Sequence, residues 1–464
     1  MRITSTFPAA ALLLLLVLSA YPQKKNVEIL IVGGTVVTMD GEMRVIKDGA
    51  VAIDKGKIVA VGSSANVSKA FSGKTKINAE GKAVIPGLIN THTHIPMTVF
   101  RGIADDLDLQ EWLTKYIFPA EAKNVDEKMV RIGTRLGLAE LIRGGTTTFC
   151  DMYYFEDVIA EETEKAGVRG VLGETLIDFP APDNKTWEEA MAYSEKYAKK
   201  WKGNVLITPA IAPHAPYTVS EEHLKATRKL ANEIGVPLVI HLAEAQTEVD
   251  YVRENKNMRP VEYVNKIGLF EGQTIAAHVI KVNDEEIDVL KRAGVGVAHN
   301  PQSNMKLAAG VAPVPSMLAK SLNLGLGTDG PASNNDLSLW EEMDTAAKLH
   351  KITSGDPKVV SAEQAFTMAT IGGARALHLS DKVGSLEEGK LADIVIIGLD
   401  SLHQTPLYNI FSHLVYATKA SDVETVIIHG RLIMQDRRLL TLNETAIRRD
   451  ANALRDKIID SLAN

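Results

Sequence analysis

The chain has 464 residues, of which 45% are hydrophobic and 23% are charged, and its formal net charge is -7. These values are ordinary for a globular protein, and the mild negative charge argues against nucleic acid or an anionic membrane surface as a general partner. The single cysteine, Cys150, excludes an internal disulfide and a cysteine-rich metal site.

The first residues resemble an export signal. Arg2 precedes an apolar run over residues 8–18, and the small residues Ser19 and Ala20 follow it. Such a run is too short to span a bilayer comfortably but has the length of a signal-peptide core. We therefore expect residues 1–23 to be a signal peptide, with export to the periplasm and no stable membrane span. If the start codon is misassigned and these residues are not a leader, the protein is expected in the cytoplasm.

Both ends of the remaining chain are rich in short β-strand patterns. After the leader, the predicted strands are residues 28–32, 35–39, 50–53 and 57–61, and after Gly384 the pattern returns in residues 392–397 and 424–429. Short apolar runs with closely spaced turn signals are typical of a small sandwich. The sequence therefore predicts one β-sandwich made from residues 26–85 and 385–440, with a helix in the final segment, 441–464.

The middle of the chain, residues 86–384, alternates apolar strands with longer helical patterns such as 129–143, 221–234 and 284–293. Eight strands are predicted, at 84–90, 146–151, 169–176, 205–212, 237–241, 274–278, 296–299 and 323–327. Eight strands with intervening helices over about 300 residues match a (β/α)₈ barrel. The predicted fold class is thus α/β, with a TIM-like barrel inserted into the small sandwich.

Histidines and a carboxylate recur where these strands end. His92 and His94 are two residues apart on a strand and point to the same face, and His241, His278 and Asp329 follow later strands. Catalytic groups of such barrels lie at the carboxyl ends of the strands. Imidazoles with a carboxylate can bind a divalent metal and leave a position for water, so we expect a catalytic metal site.

A further carboxyl, Glu244, lies three residues after His241. Strict alternation would keep these two side chains apart on a strand, but the chain begins to turn where the strand ends. General acid/base catalysis needs a carboxyl near the metal whose pKa burial can raise. Glu244 is therefore the candidate for moving protons between water and substrate.

In strand order, these residues resemble the amidohydrolase superfamily, over nearly the whole mature chain. Longer stretches resemble its S-adenosylhomocysteine/5′-methylthioadenosine deaminase branch, namely residues 94–102, 109–113, 299–304 and 327–335. The resemblance implies a metal-dependent hydrolase that converts the 6-amino group of an adenine nucleoside to a 6-oxo group and releases ammonia.

The resemblance also implies roles for individual residues. One divalent metal, expected to be Zn²⁺, would be held by the ligand set His92, His94, His241 and Asp329. His278 would polarise the attacking water and contact the substrate, Glu244 would pass a proton from that water to the purine ring, and Asp329 would accept a proton. Trp112, Glu121 and His214 occupy the family's substrate-contacting positions. The predicted strands 169–176 and 205–212 contain no lysine that could bridge two metals, which favours a single ion.

The third barrel strand departs from the family pattern at Glu174. Relatives acting on S-adenosylhomocysteine tend to carry a substrate-binding arginine there, which suits the amino-acid carboxylate, whereas Glu174 would repel it. Glu174 is accordingly predicted as a substrate-contacting position. Adenosine, 5′-deoxyadenosine and 5′-methylthioadenosine become at least as good candidates as S-adenosylhomocysteine.

Other functions stay open on the sequence. The nearest is another amidohydrolase reaction, on an s-triazine or a different amino- or chloro-heterocycle, although Glu244 argues against dechlorination. A different class is a catalytically silent metal- or ligand-binding protein. The cytidine-deaminase zinc fold is excluded because it requires a Pro-Cys-x-x-Cys motif. We expect a small-molecule substrate as the partner, no nucleic acid, and leave a homo-oligomer open.

Overall fold

The computed structural model describes residues 24–462, so the predicted signal peptide lies outside the described residues. Within residues 24–462, no helix is both long and apolar enough to cross a bilayer. The strands, numbered in chain order, form two sheets. The mixed sheet takes its strands from both chain ends: β1 (Lys25–Val37), β2 (Val45–Asp54), β3 (Lys57–Ser63), β4 (Phe71–Asn78), β5 (Lys82–Pro86), β14 (Ile394–Gly398), β15 (Val423–Ile428), β16 (Arg431–Gln435) and β17 (Arg438–Leu439).

The second sheet is a parallel barrel whose eight strands follow one another in chain order. Its strands are β6 (Leu88–Thr93), β7 (Thr146–Tyr153), β8 (Arg169–Leu176), β9 (Ile207–Pro213), β10 (Leu238–Leu242), β11 (Thr274–His278), β12 (Gly296–His299) and β13 (Asn323–Leu326). The first and last strands come together near their carboxyl ends. There the N–H of Asp329, which follows β13, donates to the carbonyl of His92 in β6 at 2.9 Å. The predicted (β/α)₈ barrel is confirmed.

Most of the helices lie between successive barrel strands, one lies between β3 and β4 of the mixed sheet, and the rest follow the last barrel strand. They are α1 (Ser64–Ala70), α2 (Leu109–Glu111), α3 (Phe118–Asn124), α4 (Glu127–Arg143), α5 (Glu156–Ala166), α6 (Trp187–Trp201), α7 (Glu221–Ile234), α8 (Gln246–Lys256), α9 (Pro260–Lys266), α10 (Asp284–Arg292), α11 (Pro301–Lys306), α12 (Val314–Ala319), α13 (Leu339–Ser354), α14 (Ala362–Met368), α15 (Ile371–Ala376), α16 (Ile410–Ser412) and α17 (Glu444–Leu462). A wide π-helical stretch, Trp112–Ile117, joins α2 to α3. Short 3₁₀ turns lie at Ile95–Phe100, Leu402–Gln404 and Ala420–Asp422, and a second π turn at His413–Ala417.

Side-chain caps explain why the predicted helices begin where they do. Asp126, Ser220 and Asn283 each accept a hydrogen bond from a backbone N–H of the first turn of α4, α7 and α10. Gly235 ends α7 in the left-handed conformation that a glycine adopts without strain. These three helices match their predictions to within two residues.

The predicted strand 84–90 is corrected by the structure, because it is two strands in two different sheets. Residues up to Pro86 form β5, which pairs antiparallel with β14, and the barrel begins at Leu88. Between them, Gly87 packs so closely on Thr147 that a Cβ would lie 2.0 Å from its Oγ1. A continuous apolar run conceals this change of sheet. In contrast, the predicted strands 28–32 and 35–39 are one long strand, β1, with an irregular register near Gly34.

A buried ion pair joins the barrel to the mixed sheet. Arg169, at the start of β8, donates to both carboxylate oxygens of Asp393, at 2.9 and 3.2 Å. Both side chains are almost fully buried. The pair lies at the amino end of the barrel strands, opposite the rim that carries the polar groups described next.

Candidate metal centre and active site

Four histidine rings converge at the carboxyl rim of the barrel. His92 lies in β6, His94 follows that strand, His241 lies in β10 and His278 ends β11. The ring centroid of His92 is 4.9, 5.0 and 5.4 Å from those of His94, His241 and His278. The four imidazoles predicted from strand ends therefore lie in one cluster.

Asp329 completes the cluster from the segment after β13. Its Oδ1 lies 3.4 Å from His92 Nε2 and 3.3 Å from His94 Nε2. The other oxygen, Oδ2, accepts hydrogen bonds from the hydroxyls of Ser303 (2.6 Å) and Ser333 (2.8 Å). The two serines thus hold the carboxylate with Oδ1 turned toward the histidines.

Neighbouring oxygens fix the orientation of three of the rings. The Nδ1 atoms of His94 and His241 donate to the carbonyls of Met152 and His214, the latter at 2.9 Å. His278 Nδ1 donates to the amide oxygen of Asn304 at 3.0 Å. Donation from Nδ1 leaves each Nε2 as the free ligand atom, which is the usual arrangement around metal-bound histidine.

Burial and the shared carboxylate set the charges of the cluster. Burial lowers the pKa of His92 to about 4 and that of His241 well below its ordinary value. Burial also lowers the pKa of His94, but hydrogen bonding and attraction to Asp329 outweigh it and raise this pKa to about 9. Burial raises the pKa of Asp329, but its hydrogen bonds to His92 and His94 outweigh that effect and hold it well below the usual range. In the absence of metal, the proton on His94 therefore balances the Asp329 carboxylate.

The donor set fits a divalent metal. Two groups bring their ligand atoms within 4.8 Å of one another, His92 with His94 and His241, and His92 with His278 and Asp329. The buried Nδ1 of His92 has no hydrogen-bond partner among the described residues, and its Nε2 has only the Asp329 carboxylate, at 3.4 Å. Buried polar atoms are rarely left unpaired, and neutral imidazoles with a carboxylate are ligands that zinc accepts. The predicted ligands all lie in this cluster, while their role as ligands stays a prediction.

Glu244 lies at the edge of the same cluster. Its Oε1 is 3.7 Å from His278 Nε2, and burial raises the pKa of its carboxyl. The chain leaves β10 through Ala243, whose φ of 52° is left-handed. This reversal interrupts the alternation of the strand, so that His241 and Glu244 face the same cavity. The expected turn at the strand end is therefore present.

A cleft leads from this cluster toward the surface of the barrel rim. Its inner part, of about 350 Å³, is lined by His241, Glu244, His278 and Asp329 together with Trp112 and His214. The outer part, of about 400 Å³, shares Trp112 and His214 and is also lined by Met97, Ile117, Phe118, Glu121, Met152, Tyr153, Tyr154 and Thr175. The lining residues that the two parts share make them one cleft.

Three of the predicted substrate contacts lie in this cleft. The buried indole N–H of Trp112 has no partner among the described residues. Glu121 accepts a hydrogen bond from the Tyr153 hydroxyl at 2.7 Å, and burial raises the pKa of Glu121 to about 7. His214 Nδ1 pairs with the Thr218 hydroxyl at 2.8 Å, and burial lowers the pKa of His214 to about 3. Polar atoms of these residues are thus available to a ligand.

The structure corrects the expectation for Glu174. Along β8, Thr175 faces the cleft, and the alternation of the strand turns Glu174 to the opposite side. There the fully buried Glu174 accepts a hydrogen bond from the Glu156 N–H at 2.9 Å, and burial raises its pKa well above the usual range. Glu174 is not among the described residues that line the cleft, so its carboxyl does not face a substrate there.

Several residues that orient the site were not assigned a role from the sequence. Ser303 and Asn304 belong to the stretch 299–304, and Ser333 to 327–335, both of which resemble the family, so motif context was the available signal. Tyr153 offered no comparable signal. His299 turns away from the cluster, and its Nε2 pairs with His350 Nε2 at 3.0 Å.

Comparison with known proteins gives a consistent result. Residues 83–433 match the model of the amidohydrolase family. The chain is 48% identical over 416 residues to the 5-methylthioadenosine/S-adenosylhomocysteine deaminase of Syntrophobacter fumaroxidans, covering 90% of this chain and 95% of the relative. It is 48% identical over 374 residues to the 5′-deoxyadenosine deaminase of Methanocaldococcus jannaschii, covering 80% and 88%. The crystal structure of an adenosine deaminase from Xanthomonas campestris with bound zinc superposes with a TM-score of 0.92 at 37% identity, covering 94% of this chain and 100% of that one.

Proposed function

The chain belongs to the amidohydrolase family, and on that premise we propose that it hydrolyses the C6–NH₂ bond of an adenine nucleoside, leaving a 6-oxo purine and ammonia. It is thus a hydrolase of C–N bonds in cyclic amidines. The observation that carries this proposal is the position of Glu244, a buried carboxyl 3.7 Å from His278 at the edge of the histidine cluster. The names of the relatives, which are deaminases of adenine nucleosides, support the same reaction.

We propose a single zinc ion as the cofactor, held by His92, His94, His241 and Asp329. When bound, such an ion lowers the pKa of water toward neutrality and so supplies the nucleophile. Glu244 would take one proton of that water on its carboxylate and deliver it to the ring nitrogen beside C6. The second proton of the water would go to Asp329 and from there to the amine, whose departure as ammonia Glu244 would assist.

His278 and Asp329 assist from either side of the reacting carbon. His278 donates to Asn304 through Nδ1, so its Nε2 faces Glu244 and the inner cleft. Asp329 has its Oδ2 held by Ser303 and Ser333 and its Oδ1 by the Gly330 N–H, so the carboxylate that would accept a proton has a fixed orientation. Both residues are held before substrate binds, and this limits the reorganisation needed during the reaction.

The nucleoside is oriented by the walls of the cleft. The indole of Trp112 borders both the inner and the outer part, so it can pack on the purine ring and the ribose. Glu121 lies in the outer part, where its carboxyl can accept hydrogen bonds from the ribose hydroxyls while Tyr153 holds one of its oxygens. His214 offers Nε2 because its Nδ1 is paired with Thr218.

The outer cleft favours nucleosides with a small uncharged 5′ group. The side chains there include Met97, Ile117, Phe118 and Met152, and no lysine or arginine is among the described residues that line either part of the cleft. The amino-acid carboxylate of S-adenosylhomocysteine would enter this site without a cation, which is unfavourable. 5′-Methylthioadenosine, 5′-deoxyadenosine and adenosine suit the lining better. The sequence predicted the same preference for uncharged nucleosides from repulsion by Glu174. Here the preference comes instead from the absence of a cation among the described residues that line the cleft.

A substrate panel tests the reaction and its specificity. We expect ammonia release from the three uncharged nucleosides with a higher kcat/KM than from S-adenosylhomocysteine. Thr175→Arg, which adds a cation to the outer cleft, should raise the relative kcat/KM for S-adenosylhomocysteine, whereas Thr175→Met should not. Ammonia release from guanine or a triazine alone, or chloride release from a chlorotriazine without ammonia from any nucleoside, would refute the proposal.

We also propose that the protein is exported, on the basis of the apolar run in residues 8–18. N-terminal sequencing of the mature protein from a periplasmic fraction tests this. A protein that retains Met1 and stays in the cytoplasm would overturn it.

A further inference from the structure

A buried carboxyl outside the cleft holds the backbone that carries Glu244. Glu248, in the first turn of α8, is 2% exposed and is not among the described residues that line the cleft. Its Oε1 accepts the N–H of Ala243 at 2.8 Å, and its Oε2 accepts the N–H of Glu244 at 2.9 Å. One carboxyl group thus binds two consecutive backbone donors.

This arrangement differs from an ordinary helix cap. A glutamate in the third position of a helix commonly reaches back to the backbone N–H of the capping residue, which here is Ala245. Glu248 instead accepts the N–H groups of the two residues before Ala245. One of them is Ala243, whose left-handed φ of 52° is rare for a residue with a side chain.

The turn at Ala243 is held from its other side as well. Its carbonyl accepts the N–H groups of Ile280 (3.0 Å) and Lys281 (2.8 Å), which follow β11. The carbonyl of Ala243 is thus held by residues that follow β11, and its N–H is held by Glu248. Without that restraint, Ala243 could relax and turn the Glu244 side chain away from His278.

We propose that Glu248 is a positioning residue for the deamination, and that it acts through Glu244. Its carboxyl group holds the Ala243–Glu244 turn in the conformation that points the Glu244 carboxyl at the substrate. This inference rests on the proposed function, because it assigns Glu248 a role only in the step that Glu244 performs.

The test compares Glu248→Ala and Glu248→Gln with Glu254→Gln, a change at an exposed glutamate of the same helix. Misplacing a catalytic group by about 1 Å costs about 100-fold in rate, so kcat of Glu248→Ala should fall by about that factor, with KM and zinc content unchanged. Glu248→Gln keeps one acceptor oxygen and should recover part of kcat. Glu254→Gln should behave as the wild type.

A second background separates positioning from a purely structural role. In a Glu244→Gln protein, Glu248→Ala should cause no further loss of kcat, because the group that it positions is already absent. A loss of zinc, a rise in KM, or an equal loss of kcat in both backgrounds would overturn the inference, and so would wild-type kcat in Glu248→Ala. If the wild type releases no ammonia from any adenine nucleoside, the proposed function fails first and the inference fails with it.

Discussion

Replacement of Glu244 by glutamine is the most direct test of the proposed chemistry. Glutamine has the same shape, and the backbone N–H that Glu248 accepts is retained, so we expect unchanged folding and zinc content. The amide cannot take a proton from water or give one to the purine. Each positioned acid/base step contributes about 10²–10⁴ in rate, and Glu244 serves both the ring nitrogen and the amine.

The structure offers no substitute for this carboxyl. Among the described residues that line the cleft, the other carboxyls are Glu121, in the outer part, and Asp329, which is engaged by histidines and serines. We therefore expect kcat of Glu244→Gln to fall by about 10³–10⁴, a barrier increase of about 4–5 kcal/mol. The assay is ammonia release from 5′-methylthioadenosine, with metal analysis and thermal unfolding on the same sample. Turnover within about tenfold of the wild type, at full zinc content, would refute the role of Glu244.

Three further predictions concern the metal, pH and stability. His92→Asn and Asp329→Ala should each lose bound zinc after dialysis together with activity, and full zinc content would contradict the ligand assignment. Burial raises the pKa of Glu121 from 4.5 to about 7; because the folded protein then holds this proton more tightly than the unfolded chain, its stability falls as pH rises. Relative to Glu121→Gln, the metal-free wild type should lose about 2–3 kcal/mol in free energy of unfolding between pH 5 and 8, measured with urea, whereas a pH-independent difference would exclude this titration. Arg169→Ala leaves the buried Asp393 carboxylate without its cation and with the His429 N–H as its remaining donor. The change should cost about 3–5 kcal/mol by urea unfolding, and a loss below about 1 kcal/mol would contradict the pair's contribution.

The sequence predicted the barrel because burial imposes a simple pattern on its strands. Strands such as β8 and β11 have the predicted bounds and are buried along their whole length, since both faces of a parallel strand are covered. The same reasoning failed at Gly87, because an apolar run does not reveal that the chain passes from one sheet to another. Apolar character reports burial, whereas sheet membership depends on pairing with distant strands.

Side-chain direction was the second limit. Glu174 was expected in the cleft because of its place in the family pattern, yet alternation along β8 turns Thr175 inward instead. Ser303 and Ser333 hold Asp329 from two separate segments, and the sequence contains no periodic signal for such contacts. Motif context located the segments, but only the three-dimensional structure identifies which atoms meet.

The strand ends explain why regular patterns predict the scaffold better than the site. Ala243 after β10, His278 at the end of β11 and Asp329 after β13 all have left-handed φ values, of 52°, 71° and 62°. Each such residue costs of the order of 1–3 kcal/mol and persists only where its surroundings hold it. Here Glu248 accepts the N–H of Ala243, and His92 accepts that of Asp329. Because these reversals break the alternation of the strands, side chains that a regular strand would point apart converge on one point. Under the proposed function, the hydrogen bonds that hold the reversals therefore position the catalytic groups.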